Sequence, residues 1–242
     1  AVAIQDPRVR VLRDGQNKGL PARLNEIVRL AKGELVARMD ADDAMHPLRL
    51  EKQVGFLQAN PELDGVTTGA YLIDAEDRPI ALLPGRQPSA QEVLARGGFL
   101  HPSLLARKSW FEAHPYSLDY PRAEDRELFV RTFKTSRLHV LSEPLYFYRW
   151  FGVPRGKTLR IGYRSERKVM WKYGPNLVGW GPSLRLIALS FGKELLTWFL
   201  EWTHLEKGFQ TRRAFQPLLE MDQREALRTL KVIRETCVPG WD

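Results

Sequence analysis

The sequence predicts an α/β fold built on a largely parallel sheet, and three observations predict it. Strand-like and helix-like segments alternate along the first third of the chain. An acidic cluster, Asp40, Asp42 and Asp43, follows one of the strand-like runs, at the strand end where open α/β sheets place their ligands. Hydrophobic residues make up 43% of the 242 positions, which suffices for a buried core and argues against disorder.

Residues 8–12 alternate apolar and basic side chains and read as a short strand. Leu20, Leu24, Ile27, Val28 and Ala31 recur at helical spacing, and Gly33 ends the helix predicted over 20–31. Residues 34–39 read as a buried strand that runs into the acidic cluster. Pro47 stands where a helix opens, and helical spacing continues over 48–58 until Asn60-Pro61. Residues 65–73 form the next strand, 80–88 are loop-like, 90–96 a short helix and 100–107 a strand. Leu128, Val130 and Phe133 stand among charges and mark a helix over 123–133, followed by two strands over 138–141 and 145–150. Residues 152–162, rich in Gly, Pro and basic side chains, read as a linker, so the chain divides into 1–151 and 152–242. Helices are predicted beyond it over 163–173, 183–204 and 222–235.

The net charge of +8 is unevenly spread. Residues 151–242 carry 16 Lys and Arg against 9 Asp and Glu, whereas residues 1–150 carry 21 against 20. Five of the seven Trp also follow residue 150. Such a basic surface suits phosphate or an anionic membrane. Arg155, Lys157, Arg160, Arg164, Arg167, Lys168 and Lys172 precede or accompany Trp171, Trp180, Trp198 and Trp202, a combination that favours a membrane interface. The alternative is a helical tail packed on the first part, its Trp buried. Residues 184–205 are apolar but contain Arg185, Lys193, Glu194, Glu201 and His204, which makes a poor membrane span. No recognisable nucleic-acid module accompanies the charge, so no nucleic-acid partner is expected. One cysteine, Cys237, excludes an internal disulfide and a Cys-based zinc site and fits a reducing compartment. Residues 1–13 lack the apolar run of a signal peptide. The expected location is cytoplasmic, peripheral on the inner face of the membrane.

Three carboxylates within four residues repel one another unless a cation or several donors intervene. Oxygen ligands at a strand end favour a hard divalent ion such as Mg²⁺ or Mn²⁺, with positions left open for phosphate oxygens. Equally, such acids cap a following helix or line a solvated turn. The spacing alone leaves both readings open.

Longer segments carry a resemblance. They are Asn17-Lys18-Gly19-Leu20, Leu24-Asn25, Ala31-Lys32-Gly33-Glu34, Ala37-Arg38-Met39-Asp40-Ala41-Asp42-Asp43 and Pro47-Leu48-Arg49-Leu50-Glu51-Lys52-Gln53. His101-Pro102-Ser103 with Arg107-Lys108 follows, then Ala123-Glu124-Asp125 with Glu127-Leu128 and Arg131. In order and spacing these resemble the family 2 glycosyltransferases, above all members that build bacterial surface polysaccharides. The resemblance covers roughly residues 1–150. It implies a GT-A fold and an inverting transfer from a nucleotide-diphosphate sugar to a polysaccharide, glycan or lipid-linked acceptor. Asp40 and Asp42 fall on the Asp-x-Asp motif that contacts the donor and its metal, with Asp42 the first choice for direct metal contact. Asp125 falls on the general base, with Glu124 beside it. Asn17 and Arg38 are expected on the donor side, and His101 near the diphosphate or lining the acceptor site. Each has a simpler reading: Asn17 forms a turn with Gly19, Arg38 neutralises the acidic cluster, and His101 before Pro102 is structural.

The sequence departs from the family pattern in two ways that matter. The pattern opens with strands that bind the nucleoside base, whereas this sequence starts near the segment Asp6-Pro7-Arg8-Val9-Arg10-Val11-Leu12. The expected fold is therefore a GT-A-like, Rossmann-type mixed sheet lacking its first strands, N-terminally truncated, with a C-terminal helical extension. Tyr146 stands where a Gln-x-x-Arg-Trp segment would begin, before Arg149-Trp150, which argues for addition of a single sugar. The contrasting expectation is an inactive remnant that serves as a membrane- or partner-docking module.

Overall fold

The computed structural model describes residues 4, 6–120, 122–152, 156–203 and 218–237. In chain order its elements are α1 (Leu20–Leu30), β1 (Leu35–Ala37), β2 (Ala44–Met45), α2 (Arg49–Ala59), β3 (Gly65–Ile73), β4 (Pro79–Leu83), α3 (Ala90–Arg96), a 3₁₀ turn (His101–Ser103), β5 (Leu105–Arg107), α4 (Lys108–Ala113), α5 (Glu124–Thr132), β6 (Leu138–Arg149), α6 (Lys157–Val178), α7 (Trp180–Trp202) and α8 (Glu220–Glu235).

The sheet is centred on β3, all nine residues of which are buried. Its β-branched and aromatic side chains suit a strand covered on both faces. β6 runs parallel along one edge of β3 and pairs antiparallel with β2 on its far side. The other edge of β3 is shared, with β5 beside Gly65–Val66 and β4 beside Ala70–Ile73, both antiparallel. β1 pairs with β5 and forms the end of the described sheet.

Several expectations are corrected here. The sheet is mixed, and β3 with β6 is its parallel pair. Residues 8–12 are exposed and lie in no strand; alternation creates a strand only where a neighbour offers an edge. β1 is a short, half-buried end strand where a longer buried one was expected over 34–39. The strand expected over 100–107 is a 3₁₀ turn followed by β5, because Pro102 has no amide proton for a ladder. β4 occupies part of 80–88, expected as loop. The two strands expected over 138–150 are one strand, β6, with a bulge: Thr68 faces Leu141, but Ala70 faces Tyr146. Pro144 lies in that bulge.

The main core lies between the sheet and α3, α4, α5 and α6, where Val93, Leu94, Leu104, Leu128, Phe129, Val169 and Met170 are buried together. α2 covers Val66 and Leu105 with Leu57. α8 covers Tyr71, Ile73 and Phe147 with Ala226 and Leu230. The expected helices over 163–173, 183–204 and 222–235 correspond to α6, α7 and α8. Arg155 and His204 lie outside the described residues. α6 already begins inside the basic stretch read as a linker.

Candidate active site

β1 delivers the chain into the acidic turn, and β6 holds that turn in place. The Arg149 amide donates to Asp43 Oδ1 at 2.7 Å, and its Nε donates to the Asp42 carbonyl at 2.7 Å. Tyr146 is fully buried apart from its link to the turn: its hydroxyl donates to Asp43 Oδ2 at 2.8 Å and accepts from the Asp40 amide at 3.1 Å. Asp43 is thus turned into the protein, where burial pushes its carboxyl up to about 6 against those two hydrogen bonds. Beneath the turn, the fully buried Arg49 donates to the Arg38 carbonyl at 2.9 Å and to Gln53 Oε1 at 2.9 Å, with its guanidinium over the Tyr146 ring.

Arg38 stands at the centre. It is buried, and its Nη2 donates to Asp40 Oδ1 at 2.7 Å. Its Nε and Nη1 are buried with no hydrogen-bond partner, which leaves two strong donors unsatisfied. Burial raises the Asp40 carboxyl, Arg38 opposes the rise, and the charges of Asp42 and Asp125 add to it. Burial and the adjacent Asp125 likewise raise Glu124, again opposed by Arg38. The acids of the strand end and of α5 therefore share one electrostatic neighbourhood, and the Arg38 charge acts on both.

Glu124, Asp125 and Glu127 occupy the first turn of α5, where the helix dipole favours negative charge. Arg122, just before the helix, takes a left-handed φ of 65°, an uncommon conformation for a residue with a side chain. Glu127 points into the core and accepts from Arg131 at 2.8 Å and from the Tyr173 hydroxyl of α6 at 2.7 Å. His101 is buried, and its Nε2 lies 2.7 Å from the Tyr116 hydroxyl. Burial, with Arg38 nearby, holds His101 neutral, well below its ordinary range. Tyr116 is fixed in turn by Asn25 of α1, with reciprocal bonds of 2.9 Å between the Asn25 side chain and the Tyr116 backbone.

The structure thus brings Arg38, Asp40, Asp42, Glu124 and Asp125 together, with His101 near Arg38. Asn17 is exposed and accepts from the Gly19 amide at 3.2 Å, the turn that opens α1. Tyr116, Tyr146 and Arg149 organise the site and were not singled out for it from sequence. A groove of about 410 Å³ between α1 and α4, lined by Asn25, Phe111 and Leu118 among others, lies apart from the acids.

The donor set suits a divalent ion held by few protein ligands. Among the described residues the Asp42 carboxylate is exposed and has no ion pair or hydrogen bond, while Asp40 keeps one oxygen clear of Arg38. No three His, Cys, Asp or Glu side chains among the described residues are grouped to enclose a metal.

Residues 1–118 match the family model "Glycosyl transferase family 2". The chain is 32% identical over 148 residues to the putative glycosyltransferase EpsE of Bacillus subtilis, covering 59% of this chain and 52% of that one. It is 33% identical over 151 residues to the O-antigen biosynthesis glycosyltransferase WbnJ of Escherichia coli, covering 60% and 58%. It spans about half the length of the curated relatives it matches. The mannosyltransferase PcManGT of Pyrobaculum calidifontis, solved with GDP-Man and Mn²⁺, shares the fold at a TM-score of 0.50 and 13% identity, over 94% of this chain and 70% of that one. The mixed sheet with helices on both faces is the GT-A-like arrangement. Over residues 1–118, and in the motifs gathered around Arg38, the chain is similar to glycosyl transferase family 2.

Proposed function

We propose that this chain transfers a single sugar, with inversion, from a nucleotide-diphosphate donor to a glycan or lipid-linked acceptor in cell-surface polysaccharide biosynthesis. The observation that carries the reading is the two acidic sites that share the charge of Arg38, a residue with two buried nitrogens left without partners. The similarity to family 2 glycosyltransferases, one of them an O-antigen biosynthesis enzyme, and to a mannosyltransferase that binds GDP-Man supports a nucleotide-sugar donor.

Asp42, assisted by Asp40, would hold Mg²⁺ or Mn²⁺, which when bound supplies Lewis-acid stabilisation of the diphosphate leaving group. Arg38 adds positive charge at the same place. Asn17 shapes the turn on the donor side, and neutral His101, held by Tyr116, donates or accepts a hydrogen bond without adding charge. Asp125 takes the proton of the acceptor hydroxyl as that oxygen bonds to the anomeric carbon and the bond to the diphosphate breaks. Glu124 keeps the second carboxyl beside it. We place the reaction on the inner face of a membrane; no described helix is long and apolar enough to cross one.

The test is Mn²⁺-dependent binding of UDP and GDP by calorimetry, with turnover measured on nucleotide sugars. Asp42→Ala should weaken metal-dependent binding by at least about tenfold. Asp125→Asn should bind nucleotide normally yet lose about 10²-fold or more in turnover, the usual scale of a lost general base. Metal-independent binding indifferent to Asp42→Ala, or full turnover in Asp125→Asn, overturns the assignment. An inert docking module would show no turnover with any donor.

A further inference from the structure

α7 is built inside out. Its buried positions are polar: Ser183, Ser190 and Glu194. Ser183 packs against Gly174 of α6 and donates to the Gly179 carbonyl at 2.6 Å, Arg167 of α6 pairs with Glu194 and donates to Ser190 Oγ at 3.3 Å, and Arg160 pairs with Glu201. Leu184, Leu195, Leu196, Phe199 and Trp202 face outward, with Leu195 69% and Trp202 77% exposed. A helix on the surface of a soluble domain shows the reverse pattern, and an apolar face of this extent marks an interaction surface.

The exposed charges of α7 are of one sign. Every acid on α7 is engaged inward by α6, whereas Arg185 and Lys193 are exposed. On α6, Arg164, Lys168 and Lys172 recur at four-residue steps and are exposed as well, although Arg164 also reaches Glu194 at 3.4 Å and the Lys172 ammonium lies over the Tyr173 ring. Trp residues mark both ends of α7: Trp180 meets Trp171 edge-on at 6.1 Å, and Trp198 and Trp202 lie at the far end. The 23-residue helix is about 34 Å long, yet no described helix is apolar enough to cross a bilayer.

We infer that the outward face of α7, with the exposed basic row of α6, seats the chain in the headgroup region of an anionic lipid bilayer. Apolar side chains enter the acyl boundary, Trp rings sit at headgroup depth, and Lys and Arg meet lipid phosphates. A second copy fits less well, because a two-fold contact through this face brings Arg185 and Lys193 of both copies together without acids to offset them. The docking surface goes beyond the proposed reaction and does not depend on it.

The full chain is floated with vesicles of phosphatidylcholine, alone or with roughly one-third phosphatidylglycerol, the anionic lipid that attracts basic segments. Binding to the anionic vesicles with a blue shift of Trp emission is expected. The double variant Leu195→Glu/Phe199→Glu should lower partitioning by at least about tenfold, with circular dichroism and thermal midpoint unchanged because both side chains are already exposed. Lys168→Glu/Lys193→Glu should weaken binding and flatten its salt dependence. No binding to anionic vesicles, or binding indifferent to the Leu195/Phe199 change, overturns the inference. A dimer in solution that this double variant dissolves, without vesicle binding, assigns the face to a second copy instead. Nucleotide binding measured on the same samples reports the state of the active site separately.

Discussion

Arg38 is where the chemistry of single residues is decided. One of its nitrogens neutralises Asp40, and the other two are buried without partners. The acids around it were legible in the order of motifs, since Asp40, Asp42, Glu124 and Asp125 each fall on a recognisable segment. The groups that set their positions were not. Tyr146 lies 103 positions from Asp43, and Tyr116 is fixed by Asn25 from 91 positions away; contacts between distant segments leave no local pattern to read. His101 offers a test at this scale. Its folded pKa is depressed below the ordinary 6.5 by burial, so the unfolded chain takes up a proton first as pH falls. The stability tied to neutral His101 is fully present above about pH 6.5 and declines below it, by up to about 1.4 kcal/mol per pH unit. His101→Gln keeps a polar partner for Tyr116 and removes the titration. Urea unfolding at pH 7 and pH 5 should show a smaller loss in the variant than in the native chain. Equal losses would mean that the imidazole protonates freely inside the fold.

Among elements, the helices were legible because spacing of apolar positions is a local property, and α1, α2, α3 and α5 lie where it placed them. Strand β3 was equally clear from its run of β-branched and aromatic residues. Strand direction and continuity were not, because they depend on which segment returns to an edge. The bulge in β6 is the clearest case. It forms where Gly85 approaches so closely that an added Cβ would lie 1.8 Å from the Leu141 carbonyl, with Gly69 packed against Gly85 on the same side. This contact is backbone on backbone, so no rotamer relieves it. Gly85→Ala should therefore cost about 3 kcal/mol or more. Gly192, inside α7 with open space around its Cβ position, should respond in the opposite sense, gaining up to about 1 kcal/mol as Ala. Thermal unfolding of the two variants measures both signs, and a neutral Gly85→Ala would show that β6 can shift to admit a methyl.

At the scale of the whole molecule, the change of composition at residue 151 does not coincide with a break in the core. Val169 and Met170 of α6 are buried with Leu128 and Phe129 of α5. Polar ties run the same way: Arg126, next to Asp125, donates to Glu166 at 2.9 Å, and Tyr173 donates to Glu127. α8 reaches the other acidic site, since Arg234 and Arg149 both bond Asp77, and Arg149 holds Asp43. The helices after residue 151 thus brace both the proposed base and the proposed metal turn, which a detachable extension would not do. Cooperativity follows from this arrangement. Met170→Ala removes a buried side chain from the shared core and should lower stability by about 2–4 kcal/mol. In native-state hydrogen exchange that loss should appear together in α5, β6 and α6, because opening one exposes the apolar face of the others. Loss of protection confined to α6 and α7, with α5 and β6 unchanged, would show that the two parts of the chain unfold independently.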